Sequence, residues 1–216
     1  MISPTPSISI GSGLTIGYSA PLATFRNAVE LTGGTHFLLA RNGRGKSTLL
    51  RTIARSLKKL SGDFTTRGFM QYLPEDMRFD PEITPRMIFK TLLSKSSHAE
   101  AFELAQRIEL DLDKLYGQLS TGNRRKTALI MAEFSIKQDR GNILLLDEPF
   151  SGLDAFARET FEQMWEKSSD RVLRLVSCHP DYDSMSMPSV LLIEGKSISH
   201  HAARNQSWSQ LKALLN

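Results

Sequence analysis

The chain has 216 residues, of which 40% are hydrophobic, enough for one large domain with a buried core. Its 27 basic and 23 acidic residues leave a net charge of +4. Because the basic residues are scattered apart from Arg124, Arg125 and Lys126, this charge does not predict nucleic-acid binding. The single cysteine, Cys178, excludes an intramolecular disulfide and a cysteine-based metal site. No apolar run approaches the roughly 18 residues of a membrane helix, and the start lacks a signal peptide's features, so we expect a cytosolic location.

Short apolar stretches alternate with Gly, Ser and Thr over residues 7–38, which predicts several strands. Residues 63–73 indicate either a hairpin or two short strands, and residues 85–110 have the apolar spacing of a helical insertion. The other predicted elements are helices over 48–60, 121–136 and 155–167, and strands over 143–146 and 171–177. Alternation of strands and helices predicts an α/β fold with a parallel sheet.

The segment FLLARNGRGKSTLL, residues 37–50, has the pattern of a buried strand, a glycine-rich turn and a helix. This arrangement grips nucleotide phosphates through backbone N–H groups, with Lys46 reaching the outer oxygens and Ser47 placed to ligate Mg²⁺. The candidate binding residues here are Arg41, Asn42, Gly43, Arg44, Gly45, Lys46, Ser47 and Thr48. Ala40 stands where glycine usually begins the motif, and it would be strained if that position required a positive φ.

A second motif, ILLLDEP, ends a predicted buried strand with two adjacent carboxylates. Ligands of parallel sheets bind at the carboxyl ends of the strands, so Asp147 and Glu148 should face the glycine-rich turn. We expect Asp147 to hold Mg²⁺, directly or through water, and Glu148 to activate the water that attacks the terminal phosphate. The alternative is that two solvated acids simply end a strand.

The segment Leu119 to Asn123, LSTGN, precedes a predicted helix, and in isolation its serine would be an ordinary N-cap. Its position after the helical insertion and before the carboxylate strand resembles the LSGGQ signature of the ATP-binding cassette (ABC) ATPases. The resemblance spans nearly the whole chain. It implies that Ser120 and Gly122 contact the γ-phosphate held by a second copy of the domain. Thr121 and Asn123 depart from the commonest residues of the signature.

Further segments match the family in the expected order, and the resemblance assigns each a role. Asp154, in Ser-Gly-Leu-Asp, resembles the D-loop, and His179 resembles the switch histidine that contacts the γ-phosphate. Tyr18 resembles the aromatic residue that stacks on adenine, although it could also pack on the sheet. Glu75, in Tyr-Leu-Pro-Glu, stands where many members of the family have Gln. The same four residues resemble the segment in several exporter-type cassettes, which favours an exporter. Glu75 joins Ser47 and Asp147 as a candidate metal ligand.

The resemblance implies a P-loop NTPase core with a mostly parallel sheet, an N-terminal antiparallel β-subdomain and an inserted α-helical subdomain. We expect a single domain, with residues 1–76 and 128–216 forming the nucleotide-binding core and residues 77–127 the helical signature subdomain. The cofactors would be ATP and Mg²⁺. The expected function is ATP hydrolysis that drives a separate transmembrane permease subunit, with an exporter favoured, through ATP-dependent pairing of two cassettes on the cytoplasmic face of the membrane.

A soluble cassette ATPase acting in assembly, repair or translation is the alternative, and nucleic acid is not an expected partner. Apolar residues of the insertion are candidates for a groove that receives the membrane subunit, or for the core: Met77, Phe79, Met87 and Phe89. The tail from His200 to Leu215 could form an amphipathic helix that docks on the partner, but packing on its own domain is favoured. His200 and His201 lack a third metal ligand and are expected to be solvated.

Overall fold

The computed structural model describes residues 5–178, 185–203 and 206–215. Eleven strands occur in this part of the chain: β1 Ser7–Ile10, β2 Thr15–Gly17, β3 Pro21–Phe25, β4 Val29–Thr32, β5 Gly34–Ala40, β6 Phe64–Arg67, β7 Phe69–Leu73, β8 Asn142–Asp147, β9 Val172–Ser177, β10 Ser189–Glu194 and β11 Ser197–Ala202. Six α-helices accompany them: α1 Lys46–Ile53, α2 Pro85–Leu92, α3 His98–Arg107, α4 Thr121–Phe134, α5 Ala155–Lys167 and α6 Trp208–Lys212. Short 3₁₀ turns lie at Lys95–Ser97 and Tyr116–Gln118.

The larger sheet has eight strands in the order β2-β3-β11-β10-β5-β9-β8-β7. Its five strands from β10 to β7 are parallel, while the β10–β11 and β2–β3 pairs are antiparallel. A smaller antiparallel sheet has the order β4-β1-β6. The carboxyl ends of β5, β8 and β9 therefore lie side by side at one edge. The predicted α/β fold with a mostly parallel sheet and an N-terminal antiparallel part is confirmed.

Alternating side chains of the central strands enter two separate cores, one on each face of the large sheet. Leu38 and Leu145 belong to the core that holds α1 and the N-terminal strands. Phe37 and Leu144 belong to the core that includes α4, α5 and the helical insertion. Because both faces are covered, β8 and β9 are buried along their whole length, which explains their near-continuous apolar sequence.

Helix α1 is shorter than predicted: it ends at Ile53 rather than at residue 60. Arg55 has φ 61°, in the left-handed region, and turns the chain away from the helix axis. The backbone N–H groups of Ser56 and Leu57 both donate to the carbonyl of Arg51, which closes the helix end. The prediction of helix over residues 54–60 was therefore wrong.

Residues 63–73 form two short strands and not a hairpin, because β6 and β7 belong to different sheets. Gly68 separates them with φ 133° and lies against the backbone of Gly141, where an added Cβ would be 2.9 Å from the carbonyl oxygen. A residue with a side chain would not fit this close approach. The sequence had left both arrangements open, and the sheet topology selects one.

The tail contains a strand where a longer helix was considered, since His200 and His201 lie in β11 and only Trp208–Lys212 is α-helical. Leu211 is buried in the core, so α6 packs on its own domain, as favoured. His200 is not simply solvated: its Nε2 lies 2.8 Å from the Ser189 hydroxyl. Within the described residues, no helix is both long enough and apolar enough to cross a bilayer.

Candidate nucleotide-binding site

The loop between β5 and α1 places backbone N–H groups at the carboxyl edge of the sheet. Gly43 and Gly45 have φ 74° and 110°, values that residues with a Cβ rarely adopt, so the two glycines are required by the turn. Gly45 is the N-cap of α1 and gives no side-chain hydrogen bond to the first turn. These first-turn N–H groups, at the positive end of the helix dipole, are suited to an anion.

A cavity of about 490 Å³ lies over this loop and extends to the ends of β7 and β8. Its lining residues are Arg41, Asn42, Gly43, Gly45, Lys46, Ser47, Thr48, Glu75, Glu148 and Ser151. An added Cβ at Gly43 would meet no atom within 4 Å, so the loop backbone borders open space. Cationic, amide, hydroxyl and backbone donors therefore surround a cavity of the size that small ligands occupy. This donor set fits a polyphosphate.

Most of the candidate residues of the loop line this cavity, and one does not. Arg44 is absent from the lining, although its backbone N–H closes the turn by donating to the Arg41 carbonyl at 3.2 Å. Ser151 lines the cavity but was not chosen as a site residue from the sequence. Its place two residues after the ILLLDEP motif was the available indication.

Lys46 lies in the cavity with only 8% of its surface exposed. Its Nζ is 3.4 Å from Glu148 Oε1 and donates to the Ala40 carbonyl at 3.3 Å. Ala40 itself is the last residue of β5 and is not among the residues with positive φ, so its departure from glycine causes no left-handed strain. An ammonium group is a donor without an acceptor, and so suits phosphate oxygens.

The two carboxylates at the end of β8 have different surroundings. Asp147 is 2% exposed; its Oδ1 accepts from the Ser177 hydroxyl at 2.7 Å and its Oδ2 from the Tyr72 hydroxyl at 3.2 Å. Glu148 turns into the cavity with φ 48°, and its backbone N–H donates to Ser177 Oγ at 2.9 Å. Such left-handed conformations of residues other than glycine concentrate at functional sites.

Tyr72 connects Asp147 to helix α1. Burial is the largest cause of the raised pKa of Tyr72, so the phenol keeps its proton as a donor. The pKa of Arg51 is raised, mainly by its interaction with the Tyr72 phenol and, with a smaller effect, with that of Tyr18. Tyr18 is 59% exposed. The roles of Ser177 and Tyr72 as partners of Asp147 were not found from the sequence.

Glu75 is held at the cavity wall by the helix that follows Ser120. Arg125, in the first turns of α4, donates from Nη2 to the Glu75 carbonyl at 2.8 Å. Burial lowers the pKa of Arg125, although it remains a cation at neutral pH. The loop that carries Glu75 is thereby tied to α4.

The predicted metal ligands fit a magnesium ion that is shared with phosphate. Ser47 and Glu75 line the cavity, and Asp147 lies at the strand end beneath it. Within the described part of the chain, no group of three or more His, Cys, Asp or Glu side chains could hold a metal ion by itself. Magnesium commonly takes one or two protein oxygens and completes its shell with water and substrate phosphates.

Ser120, Gly122 and Asp154 form a second cluster that does not line the cavity. Ser120 is the N-cap of α4, and its Oγ accepts from the Asn123 N–H at 3.2 Å. An added Cβ at Gly122 would lie 2.5 Å from the carbonyl oxygen of Gly152. Asp154 is the N-cap of α5 and pairs with Lys126 at 2.7 Å. His179 lies outside the described residues.

Comparison with known proteins identifies the family. The family model described as ABC transporter matches residues 31–151 of this chain. ABC transporter ATP-binding protein YtrB of Bacillus subtilis is 30% identical over 141 residues, which are 59% of this chain and 47% of the relative. The aliphatic sulfonates import ATP-binding protein SsuB of Burkholderia thailandensis is 30% identical over 197 residues, 85% of this chain and 56% of the relative.

The fold resembles that of solved ABC proteins. A solved bacterial Atm1-family ABC exporter with ATP bound superposes with a TM-score of 0.77 at 16% identity, covering 99% of this chain and 41% of that chain. The chain spans about half the length of the first curated relatives it matches. It belongs to the ABC transporter family and carries the family's ATP-hydrolysing domain.

Proposed function

We propose that this chain binds ATP and Mg²⁺ in the cavity over loop 41–45, hydrolyses ATP, and thereby drives a separate transmembrane subunit from the cytoplasmic face of the membrane. The observation that carries the proposal is the meeting in one cavity of a glycine-rich phosphate-type loop, Lys46 and Glu148. Lys46 Nζ and Glu148 Oε1 are 3.4 Å apart, so both groups can act on the same terminal phosphate.

Binding would rest on the loop and the start of α1. Backbone N–H groups of residues 41–48 and the Lys46 ammonium would hold the phosphates, with Arg41 and Asn42 at the cavity wall. Tyr18, whose side chain is 59% exposed, would stack on the adenine. Ser47, Asp147 and Glu75 would hold Mg²⁺, which would supply positive charge to offset that of the phosphates.

Hydrolysis would use Glu148 as the group that orients the attacking water and accepts its proton. Its left-handed backbone and the hydrogen bond from its N–H to Ser177 fix the start of the side chain, while Lys46 lies close enough to stabilise the carboxylate. His179 is proposed, from its place in the family pattern, to contact the γ-phosphate. Phosphoryl transfer depends mainly on this positioning and on charge stabilisation.

A second cassette would complete the phosphate site. Ser120, Gly122 and Asp154 are candidate phosphate or interface residues, yet none of them is among the lining of this chain's own cavity. The Gly122–Gly152 contact and the Lys126–Asp154 pair hold them together as one surface. This surface would face the nucleotide that is bound by a partner cassette, identical or different. That arrangement would account for the separation of Ser120, Gly122 and Asp154 from Lys46 of the same chain.

The helical unit, residues 77–127, is proposed to transmit closure of the two cassettes to the membrane subunit, with 1–76 and 128–216 as the core. Met87 on α2 is 53% exposed and is the best candidate contact of the four apolar residues considered. Phe89 is fully buried, and Met77 and Phe79 pack against the same core. For these three the core alternative is favoured.

Export is the proposed direction, supported by the resemblance of the Tyr72–Glu75 segment to exporter-type cassettes. The relatives divide on this point, since SsuB is described as an import protein. Transport of cargo into inside-out vesicles that contain the copurified membrane subunit would support export. Uptake only by right-side-out vesicles would instead indicate import.

Two substitutions test the site itself. Lys46→Ala should abolish tight ATP binding in calorimetry, whereas Lys114→Ala, at an exposed lysine outside the cavity, should leave it unchanged. Glu148→Gln should keep ATP binding, slow hydrolysis by about 10² to 10⁴ and trap an ATP-bound dimer. Glu103→Gln, at an exposed position of α3, is its control. Full turnover by Glu148→Gln would refute the base assignment.

Pairing and partnership need separate measurements. Ser120→Arg should spare ATP binding by the isolated cassette yet block the ATP-dependent shift to a dimer in gel filtration. Purification from membranes addresses the alternative of a soluble cassette ATPase. Stable association with an integral membrane subunit supports transport, and association with soluble partners alone favours the alternative.

A further inference from the structure

The proposed metal ligand Asp147 has both carboxylate oxygens engaged by neutral hydroxyl groups from two different strands. Ser177 Oγ donates to Oδ1 at 2.7 Å from β9, and Tyr72 Oη donates to Oδ2 at 3.2 Å from β7. β8 lies between these strands, so the two contacts hold the carboxylate from both sides. The rotation of the Asp147 side chain is thereby restrained.

The direction of each hydrogen bond follows from what the groups can donate. An ionised carboxylate has only acceptors, so in the contact between Tyr72 and Asp147 the phenol is the donor. Ser177 Oγ accepts from the Glu148 N–H at 2.9 Å, which directs its own proton to Asp147. One serine therefore fixes the proposed metal ligand and the backbone of the proposed base.

We propose that Tyr72 and Ser177 are positioning residues that orient the Asp147 carboxylate for Mg²⁺ and so set the magnesium requirement of nucleotide binding. This inference rests on the proposed role of Asp147. Groups that hydrogen-bond to a metal ligand orient it, and their loss commonly weakens metal binding about 10- to 100-fold. Neutral hydroxyls suit this task, because they leave the negative charge of Asp147 available to the ion.

Tyr72→Phe tests the proposal with the loss of one oxygen atom. Binding of a fluorescent, slowly hydrolysed ATP analogue is measured in EDTA and then at increasing Mg²⁺. The Mg²⁺ concentration for half-maximal enhancement of binding should rise about 10-fold or more, while affinity in EDTA is unchanged. Ser177→Ala should act in the same direction. A urea midpoint for each variant shows that it is folded.

Matched controls remove the same groups elsewhere. Tyr116→Phe deletes a buried phenol oxygen, and Ser197→Ala a buried hydroxyl, for which the described residues provide no hydrogen-bond partner. Both variants should keep the wild-type magnesium response. Asp147→Asn serves as the reference for loss of the proposed metal ligand itself.

The outcomes separate this inference from the function on which it rests. If Asp147→Asn shifts the magnesium response but Tyr72→Phe and Ser177→Ala stay within twofold of wild type, the positioning role is wrong and the metal assignment stands. If Asp147→Asn has no effect, the metal assignment fails and the positioning role fails with it. An equal loss of affinity in EDTA and in Mg²⁺ would also overturn the inference, since it would indicate general damage to the nucleotide site.

Discussion

A buried ion pair between α4 and β9 provides a quantitative test of how this fold is held together. Arg174 is 1% exposed, and its Nε and Nη2 donate to the two carboxylate oxygens of Glu133 at 2.9 and 2.6 Å. Nη2 also contacts Ser168 Oγ at 2.9 Å, and the guanidinium lies 5.4 Å from the ring centre of Trp165. The pair is bidentate and shielded from water on both sides.

Glu133→Leu removes the carboxylate and leaves the guanidinium buried without its counter-charge. Loss of one partner of such a pair costs about 3 to 5 kcal/mol, against a total stability of about 5 to 15 kcal/mol. For a chain of this size the melting temperature should fall by roughly 6 to 20 °C, at about 2 to 4 °C per kcal/mol. Circular dichroism with urea and with heat measures both quantities.

The double variant Glu133→Leu with Arg174→Met is the critical control, because it replaces both charges by apolar groups. It should recover most of the lost stability, since an apolar pair of similar volume commonly matches a buried ion pair. Asp113→Ala, which breaks the exposed pair of Asp113 with Arg86, should leave the melting temperature almost unchanged. A loss below about 1 kcal/mol for Glu133→Leu would refute the reasoning, since the charge would then have found water.

Three further predictions follow from particular contacts. Gly122→Ala should lower the free energy of unfolding by about 1 to 3 kcal/mol, because its Cβ would lie 2.5 Å from the Gly152 carbonyl oxygen. The same variant should weaken ATP-dependent dimerisation. Unchanged urea and gel-filtration profiles would contradict this prediction. Phe89→Ala should cost about 3 to 5 kcal/mol, whereas Met87→Ala on the same helix should cost little, as judged by urea midpoints. Burial lowers the pKa of His36 below 6.5, so the unfolded chain binds more protons; stability should be complete above pH 6.5 and fall as the pH decreases towards the folded pKa. His36→Gln should reduce the dependence of the unfolding free energy on pH, measured by urea denaturation between pH 8 and 5. An unchanged dependence would show that His36 is not its source.

The elements that were predicted best from the sequence are those whose bounds are set by residues within the element itself. The bounds of α5 are as predicted because Asp154 caps its first turn, accepting from the Ala157 N–H, and the apolar period runs to its end. The glycine-rich turn was equally readable, because its glycines, lysine and serine are consecutive and each has one chemical purpose. Position in the chain also located Glu75 and Glu148 at the cavity.

What the sequence did not predict depends on contacts between distant segments. Asp147 pairs with Ser177 in the register of β8 and β9, and nothing near either residue indicates that pairing. Tyr72 reaches the same carboxylate from β7, on the opposite side of β8. A shift of one residue in either register would turn these side chains to the other face of the sheet. Such partners are found only when the register is known.

Helix α4 joins these observations, because it crosses the proposed boundary between the helical unit and the core at residues 127 and 128. Near its start, Arg125 holds the Glu75 carbonyl and Lys126 holds Asp154, so nucleotide-dependent movement at either loop acts on the same turn. Near its end, Glu133 is fixed by the buried pair with Arg174 of β9, the strand that also carries Ser177. We therefore expect the loops of Glu75 and Asp154 to act on the start of α4, while its Glu133 end stays fixed by the buried pair during any rotation of the helical unit.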